Sequence, residues 1–537
     1  MSRTLIVGFD GATLDLCRRW QADGRMPSLG SIVEDGSFGA LRSTLPYNSA
    51  VAWTSLSTGV SPGRHGIYDF VLPRDGEYGY RVATRADRRA PALWNLATHA
   101  GARIAVVNIP MTFPAEPVDG VMVSGMDAPR LEKRAVHPSG YLERLRRMSP
   151  GYRIVSRAHL RATRGDFEGA EHELIGAIAA RGRFVAELAR PRDLDLIMVN
   201  LEATDGAQHF FWQHHDPAHP RHDPAEAARF GDAIGRVYEA SDRELGRIID
   251  AYAPDTVFVV SDHGGGPTSD WVLFMNDWLA EQGFLRIAAD RVSSIGRRLY
   301  DVAKRRLSVP ARRRLRPLFG KALERAKGAA LYGDVDWTAS RAYAHMQAAV
   351  RVNLAGREPH GIVHDRDRDR VLEEIAGRAA EAGLPDGGPM FAAVHLAADF
   401  YAGDAPGGPD LLMQLSAGLH VRGRNTTGTA GVLRRLDELG IYLPSGVHTP
   451  LGMVAAAGSG IERRGDTGAH DILQVAPSVL AVAGIPAPPL DAPSFPFVTS
   501  RVEGPGDLAE ATVERIGLDA AEEAEVMERL RGLGYVD

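Results

Sequence analysis

Acidic and histidine side chains follow three short apolar runs of this 537-residue chain. The runs are Thr4–Phe9, Asp195–Leu201 and Thr256–Val260. The side chains just beyond them are Asp10, Asp205, His209, Asp262 and His263. Each acid alone is also typical of an ordinary turn. At one edge of a sheet, however, three carboxylates repel one another unless a cation lies between them, so metal binding is the better interpretation.

The spacing of these residues supports a metal site. Asp205 and His209 are four residues apart, so in a helix they share one face and present a carboxylate oxygen and an imidazole nitrogen to the same ion. Asp262 and His263 are adjacent, and in a regular strand they would point to opposite faces. We therefore expect a turn there, which the glycines that follow make easy.

Ser49 is the best candidate for a nucleophile. It opens a stretch of small residues in which helix-like spacing links Val51, Trp53, Leu56 and Val60. A hydroxyl at a helix start lies beside unpaired backbone N–H groups and the positive end of the helix dipole, which attract anions. From this stretch alone, a helix N-cap is the better interpretation of Ser49. The acids and histidines elsewhere in the chain favour the nucleophile.

Short apolar runs bounded by turn residues alternate with amphipathic stretches along the chain. This alternation predicts an α/β fold with a mostly parallel central sheet flanked by helices. Ligands of such sheets bind beyond the carboxyl ends of the strands, where the acids above lie. Besides the three runs above, the predicted strands are Arg103–Ile109, Leu411–Leu415 and Gly452–Ala456. The predicted helices are Pro91–His99, Gly165–Ala189, Ala225–Tyr252, Asp270–Gln282, Arg366–Ala382, Asp471–Ala483 and Ala520–Leu533.

Composition and charge exclude several classes of protein. The chain is 44% hydrophobic and 24% charged, and its net charge of −6 argues against general nucleic-acid binding. Its single cysteine, Cys17, excludes an internal disulfide and a zinc site built from cysteines. The N-terminus does not have the pattern of a signal peptide, and no apolar stretch is long enough to cross a bilayer. We therefore expect a cytoplasmic protein.

The composition changes between residues 286 and 333. Arginines and lysines far outnumber acids there, and leucines are interleaved among them, so the segment is predicted to be an amphipathic, basic helical insertion or cap. It either exposes a solvated face or draws an anionic substrate or partner towards the site. Around it we expect a split α/β core made of residues 1–285 and 334–490, followed by a linker and a C-terminal helix in residues 491–537.

Six separate motifs, in this order along the chain, make it resemble the alkaline phosphatase superfamily. Within that superfamily they resemble the type I phosphodiesterase/nucleotide pyrophosphatase family. The motifs are Phe9-Asp10-Gly11, Pro46-Tyr47-Asn48-Ser49, Ser57-Thr58-Gly59 with Pro62 to Ile67, Thr204-Asp205 to His209, Ser261-Asp262-His263-Gly264 and Gly446-Val447-His448.

The resemblance implies two divalent metal ions, usually zinc, although manganese suits the same ligands. One ion is held by Asp10, Ser49, Asp262 and His263, and the other by Asp205, His209 and His448. The negative charges of three carboxylates and a serine alkoxide balance the positive charges of two divalent cations when the histidines are neutral. The implied activity is hydrolysis of a small-molecule phosphate ester, in which Ser49 attacks phosphorus and forms a phosphoseryl intermediate.

The sequence departs from the family pattern at two positions. The family has a threonine nucleophile and an asparagine that binds a phosphoryl oxygen, where this chain has Ser49 and Phe70. Because Phe70 cannot donate a hydrogen bond, we expect Asn48 or backbone N–H groups near Ser49 to take that role. Asn48 and Phe70 are therefore the tentative substrate-binding residues. The preference between diesters and monoesters stays open.

Two other functions compete with a phosphoesterase. Gly59-Val60-Ser61-Pro62-Gly63 fits the nucleophile elbow of a serine hydrolase, although Ser61 lacks the strand that should precede it. A non-catalytic protein on the same fold would bind an anion or partner through the basic segment. A sulfatase is disfavoured because Ser49 is not followed by the proline and arginine of that family's modification motif. Finally, the stretch with His214, His215, His219 and His222 is interpreted as a solvated loop.

Overall fold

The computed structural model describes residues 2–287, 332, 335–346, 348–403, 407–423, 431–439, 442–502 and 517–533. The predicted basic insertion at 286–333 lies almost wholly outside the described residues. The predicted division of the chain around that insertion therefore stays a prediction.

Strands and helices are interspersed along the described chain, in runs of one to three. The strands are β1 (Thr4–Phe9), β2 (Ser37–Arg42), β3 (Val71–Pro73), β4 (Tyr80–Val82), β5 (Ile104–Ile109), β6 (Gly120–Ser124), β7 (Val136–His137), β8 (Leu196–Leu201), β9 (Thr256–Val260), β10 (Gly264–Pro267), β11 (Trp271–Phe274), β12 (Ala342–His345), β13 (Ala349–Val352), β14 (Phe391–Leu396), β15 (Leu411–Leu415), β16 (His420–Arg422), β17 (Leu433–Arg435), β18 (Gly446–Thr449), β19 (Leu451–Gly458) and β20 (Gly465–Asp471). The helices are α1 (Leu14–Ala22), α2 (Pro27–Asp35), α3 (Ser49–Thr58), α4 (Pro62–His65), α5 (Leu93–His99), α6 (Tyr141–Met148), α7 (Ala158–Ala162), α8 (Phe167–Ala189), α9 (Ala203–His215), α10 (Pro224–Phe230), α11 (Ala233–Tyr252), α12 (Met275–Glu281), α13 (Arg368–Glu381), α14 (Ala397–Phe400), α15 (Leu436–Leu439), α16 (Val475–Ala483) and α17 (Ala520–Leu533).

A nine-stranded sheet forms the centre of the molecule, in the order β20-β2-β19-β9-β1-β8-β5-β6-β7. Five of its neighbouring pairs are parallel and three are antiparallel, so the predicted mostly parallel α/β sheet is confirmed. Leu5 and Val7 point into one hydrophobic cluster and Ile6 into the other. Because both faces of β1 are covered, its whole apolar run is buried.

Two of the four smaller sheets in the described part of the chain have more than two strands. Their strand orders are β12-β13-β15-β14 and β16-β11-β17. The four-stranded sheet has its own hydrophobic cluster, to which α12 contributes Trp278 and α13 contributes Ile375. The predicted strand Leu411–Leu415 belongs to this antiparallel sheet and not to the central one. The apolar run by itself does not tell which sheet a strand joins.

Two predicted helices are wrong in part. The interval Asp270–Gln282 begins with the strand β11 and is helical only from Met275. Leu273 packs into the cluster of the four-stranded sheet, while Val272 and Phe274 pack on the opposite side, and this period of two defines a strand. The long interval Ala225–Tyr252 is broken into α10 and α11.

The arrangement of three central strands positions the chemistry. β1 lies between β8 and β9, with Phe9 opposite Leu201 and Gly8 opposite Val260. The carboxyl ends of these parallel strands therefore meet at one edge of the sheet. No described helix is both long enough and apolar enough to cross a membrane.

Candidate active site

Four elements bring the predicted site residues together at this edge. Asp10 follows β1, and α9 begins at Ala203 directly after β8 and carries Asp205 and His209. Asp262 and His263 form the bend between β9 and β10, as predicted. His448 lies on β18, which pairs with β10 so that His448 is opposite Gly265.

Ser49 is the first residue of α3 and not its cap. Asn48 is the N-cap, because its side-chain oxygen accepts a hydrogen bond from the Val51 N–H at 3.1 Å. The interpretation of Ser49 as an N-cap is therefore wrong. With the cap supplied by its neighbour, the Ser49 hydroxyl lies 3.3 Å from Asp10 Oδ1 and 3.3 Å from His263 Nε2.

Asp10 is oriented by two donors on its far oxygen. Trp53 Nε1 donates to Asp10 Oδ2 at 2.9 Å, and Asn200 Nδ2 donates to the same oxygen at 2.6 Å. The other oxygen is thereby directed at Ser49. Asn200 carries a sequence signal, since it is the one polar residue of the apolar strand β8. Trp53 carries no such sequence signal, because its position in the helix pattern is that of an ordinary core residue.

The three histidines share one orientation. Each Nδ1 faces a backbone carbonyl: His209 faces Gly446 O at 2.8 Å, His448 faces Tyr47 O at 3.1 Å, and His263 faces Gly264 O at 3.0 Å. Because a carbonyl only accepts, each Nδ1 must carry the hydrogen, and a neutral ring then presents a lone pair at Nε2. A backbone acceptor behind the ring is typical of histidines that ligate metals.

The inward nitrogens and carboxylates crowd one another. His209 Nε2 lies 3.0 Å from His448 Nε2, and Asp205 Oδ1 lies 3.2 Å and 3.4 Å from these two nitrogens. Lone pairs this close repel unless a cation lies among them or a ring is protonated. Two sets of three residues each bring their ligand atoms within 4.8 Å of one another. One set is Asp205, His209 and His448, and the other is Asp10, Asp205 and His263.

Asp262 supplies a further sign of a cation. Its Oδ1 accepts from the Gly11 N–H at 3.3 Å, whereas its fully buried Oδ2 accepts no hydrogen bond from the described residues and lies 3.4 Å from His263 Nε2. A buried carboxylate oxygen without a donor costs free energy unless a cation satisfies it. The donor set of imidazole nitrogens, carboxylates and a hydroxyl fits such an ion.

Burial and neighbouring charges act differently on the three acids. Burial raises the pKa of Asp10 and that of Asp262, and a neighbouring carboxylate raises each further. In Asp205, the charges and hydrogen bonds of His209 and His448 outweigh burial and hold the pKa well below its usual range. Burial also lowers the pKa of His448 to about 4. Neighbours favour the charged form of Asp10 as well, but of the three acids only Asp205 has a pKa that is lowered overall.

The site divides into two halves by exposure. The buried half consists of Asp10, Ser49, Asp262 and His263, each at most 3% exposed. The open half consists of Asp205, His209 and His448, whose side chains are 15%, 12% and 14% exposed. These halves contain the residues of the two ligand sets that the resemblance implies, and the assignment of one ion to each half stays a prediction, because Asp205 also lies within reach of Asp10 and His263.

A sequence model of type I phosphodiesterases/nucleotide pyrophosphatases matches residues 4–435, about four fifths of the chain. The chain belongs to this family. Membership places it among hydrolases that act on phosphate esters, as predicted, and the family is metal-dependent. The match ends before His448, which the structure nevertheless brings to the site. No curated protein matches the chain in sequence.

Solved structures share the fold at low identity. Phosphonoacetate hydrolase from Sinorhizobium meliloti, in complex with phosphonoformate, is 15% identical with a TM-score of 0.53, and the match covers 90% of this chain and 96% of that one. An inactive variant of murine ectonucleotide pyrophosphatase/phosphodiesterase 5, in complex with AMP, is 12% identical with a TM-score of 0.48, and the match covers 92% and 97%. The likeness to the hydrolase supports the alkaline-phosphatase-like fold that the sequence predicted.

The two tentative substrate-binding residues have structural roles in this phosphodiesterase-family protein. Asn48 caps α3 through its oxygen. Phe70 is 1% exposed and packs in a hydrophobic cluster with Ala50, the neighbour of Ser49, and with Leu530 of the C-terminal helix. Their contacts with substrate stay predictions.

The serine-hydrolase alternative does not fit the geometry of Ser61. This residue follows a helix and not a strand, and it precedes the four-residue helix α4. Its hydroxyl donates to the Ala402 carbonyl at 2.8 Å. The hydroxyl therefore serves a loop contact. The other alternative, a non-catalytic protein that binds an anion or partner through the basic segment, depends on residues that lie almost wholly outside those described.

Proposed function

We propose that the protein is a two-metal phosphoesterase that hydrolyses small-molecule phosphate monoesters or diesters through a phosphoseryl intermediate on Ser49. The buried half would hold one divalent cation and the open half the other, with zinc the preferred ion for this set of nitrogen and oxygen ligands. The observation that carries the proposal is the Ser49 hydroxyl, which lies 3.3 Å from both Asp10 Oδ1 and His263 Nε2.

When bound, the cations would stabilise the Ser49 alkoxide and the charge that develops on the leaving oxygen. Ser49 Oγ attacks phosphorus in line with the leaving oxygen, so that the bond from Oγ to phosphorus forms as the ester bond breaks. Water then hydrolyses the phosphoseryl ester and restores the serine. Asp10 keeps its orientation throughout, because Trp53 and Asn200 hold the oxygen that faces away from the serine.

The start of α3 supports anion binding. The first turn of a helix leaves backbone N–H groups without intrahelical acceptors, and the Asn48 side chain accepts from that of Val51. The positive end of the helix dipole and the backbone N–H groups of the first turn favour a phosphoryl oxygen at this position. They take the place of the side-chain donor that Phe70 lacks.

Replacement of Ser49 tests the proposal. We expect Ser49→Ala to lower the turnover of aryl phosphate monoesters and diesters by at least about 10³-fold while the protein keeps its metal. Ser49→Thr is the matched control, because it retains a hydroxyl, and it should keep measurable activity. Metal content is measured on the same samples by elemental analysis. Unchanged turnover in Ser49→Ala, or wild-type protein that is fully active after chelation, would contradict the proposal.

A further inference from the structure

The loop at residues 216–223, after α9, packs against the segment that precedes β18. The sequence interpretation of this histidine-rich stretch as a solvated loop is wrong for two of its residues, since His214 and His219 are each 4% exposed. Donors of this loop face a row of backbone carbonyls.

Arg221 supplies two of these donors. Its Nη1 donates to Leu443 O at 2.9 Å and its Nη2 donates to Pro444 O at 2.8 Å, with Thr268 Oγ1 at 3.4 Å from Nη2. No described carboxylate pairs with this partly buried guanidinium. Its planar fork, with N–H groups pointing the same way, matches two successive carbonyls in a manner that a lysine cannot reproduce.

His219 extends the row by one carbonyl. Its Nδ1 accepts from the Arg221 N–H at 3.0 Å, so in the neutral ring the hydrogen lies on Nε2. Nε2 is 3.1 Å from Ser445 O and 3.2 Å from Thr268 Oγ1. His219 and Arg221 together therefore bind three consecutive carbonyls, those of residues 443–445. We call these two residues the carbonyl clamp.

The same segment of chain holds both histidines of the open half. Ser445 donates to His209 O from its backbone N–H at 2.6 Å and from its hydroxyl at 3.1 Å. His209 Nδ1 in turn donates to Gly446 O at 2.8 Å. β18 starts at Gly446 and carries His448 two residues later. The distance between the two metal-facing nitrogens thus depends on where residues 443–446 lie.

We propose that the carbonyl clamp is a positioning device that sets the affinity of the open half for its divalent cation. It holds the start of β18 against α9 and so fixes His448 relative to Asp205 and His209. Neither clamp residue contacts the inward-facing ligand atoms, so the effect passes through the backbone. The inference rests on the proposed function, because it assigns a cation to the open half.

The test is a zinc titration of the metal-free, full-length protein against a competing chelator. We expect Arg221→Gln to weaken one of two bound equivalents by about 10- to 100-fold, the range typical of outer-shell partners, and to leave the other unchanged. The zinc affinity of Arg221→Lys should lie between those of Arg221→Gln and wild type, because lysine keeps the length and charge of the side chain but lacks the planar fork that spans two carbonyls. His222→Gln is the matched control, because His222 is in the same loop and its imidazole contacts Gln213 O, at 3.0 Å, and not residues 443–445. The backbone N–H of His222 donates to His219 O at 2.9 Å, and the substitution leaves that bond in place.

A second measurement does not depend on metal. The Thr268 N–H donates to Ser445 O at 3.0 Å, so its hydrogen exchange should be faster in metal-free Arg221→Gln than in wild type or His222→Gln. The proposed role of the clamp would be wrong if wild type and Arg221→Gln bound zinc with equal affinity. It would also be wrong if Arg221→Gln bound both zinc equivalents more weakly to the same extent. Wild-type protein that binds no zinc would instead overturn the proposed function, while the exchange measurement would still decide whether the clamp holds the segment. If Arg221→Gln does not fold, Arg221→Lys provides the same comparison.

Discussion

The two halves of the site are built on different parts of the fold. The buried half rests on the ends of β1 and β9 and on the first turn of α3, where the packed core fixes each side chain. The open half rests on α9 and on the short strand β18, whose placement depends on hydrogen bonds to loops. Under the proposed function, the packed half would hold the nucleophile rigidly, and substrate and water would enter from the accessible half.

The carboxylates of the two halves differ in what surrounds them, and this difference gives the largest expected effects. Asp262 Oδ2 in the buried half has no donor among the described residues, whereas Asp205 in the open half lies within 3.4 Å of two histidine nitrogens. Asp262→Asn and Asp205→Asn should each lower the affinity of their half of the site for its cation by more than about 100-fold. This loss is larger than that expected for residues that only support a metal ligand. In the metal-free protein, the two substitutions should act in opposite directions.

At neutral pH we expect metal-free Asp262→Asn to unfold with a free energy about 1–3 kcal/mol larger than that of wild type. Burial raises the pKa of Asp262, so folding at neutral pH must either bury its charge or protonate it, and the neutral amide avoids both costs. Metal-free Asp205→Asn should be less stable than wild type by about 1 kcal/mol or more, because favourable contacts with the two histidines are weakened. Urea unfolding in the presence of a chelator measures both values. If both substitutions shift stability in the same direction, the distinction between the halves is wrong.

The central strands and the acids that follow them were predictable from sequence, whereas the smaller sheets and the positioning contacts were not. β1 and β9 have the predicted bounds because strands covered on both faces read as unbroken apolar runs. Leu411–Leu415 has the same pattern but joins another sheet, since pairing partners leave no mark in a run of apolar residues. Asn48 and Ser49 are equally good caps, so sequence alone does not choose between them.

The residues that support the metal ligands were harder still to find. His448 was selected among 18 histidines only through the family resemblance. The carbonyl clamp escaped prediction because its donors bind backbone carbonyls, which every residue has, and its neighbours are mostly aspartate, proline and histidine. Such contacts depend on tertiary placement, which local spacing does not encode.

A change of intermediate size should come from Trp53, which orients Asp10. We expect Trp53→Phe to lower the affinity of the buried half for its cation by about 10- to 100-fold and to leave the affinity of the open half unchanged. Trp94→Phe is the matched control, because Trp94 is also buried and its Nε1 donates to a carboxylate, that of Glu116 at 3.1 Å, in a pair that is not part of the site. Zinc titration and thermal unfolding of both variants separate the two effects. Equal losses of zinc affinity in the two variants would mean that Trp53 acts only through stability.

The smallest effect should come from Asn48, where a cap and a substrate contact are alternative roles for one side chain. The cap uses the side-chain oxygen, so Asn48→Ser should keep the stability of wild type, while Asn48→Ala should lose about 1 kcal/mol. A phosphoryl contact would use the amide N–H groups, which serine replaces with a single shorter donor. If Asn48 binds substrate, KM for an aryl phosphate should rise in both variants. If Asn48 is only a cap, KM should stay unchanged in both, and only Asn48→Ala should lose stability. Because Asn48 is next to the nucleophile and at the start of α3, this pair of variants decides whether phosphoryl binding depends on this side chain or on the backbone of the helix that also positions Ser49.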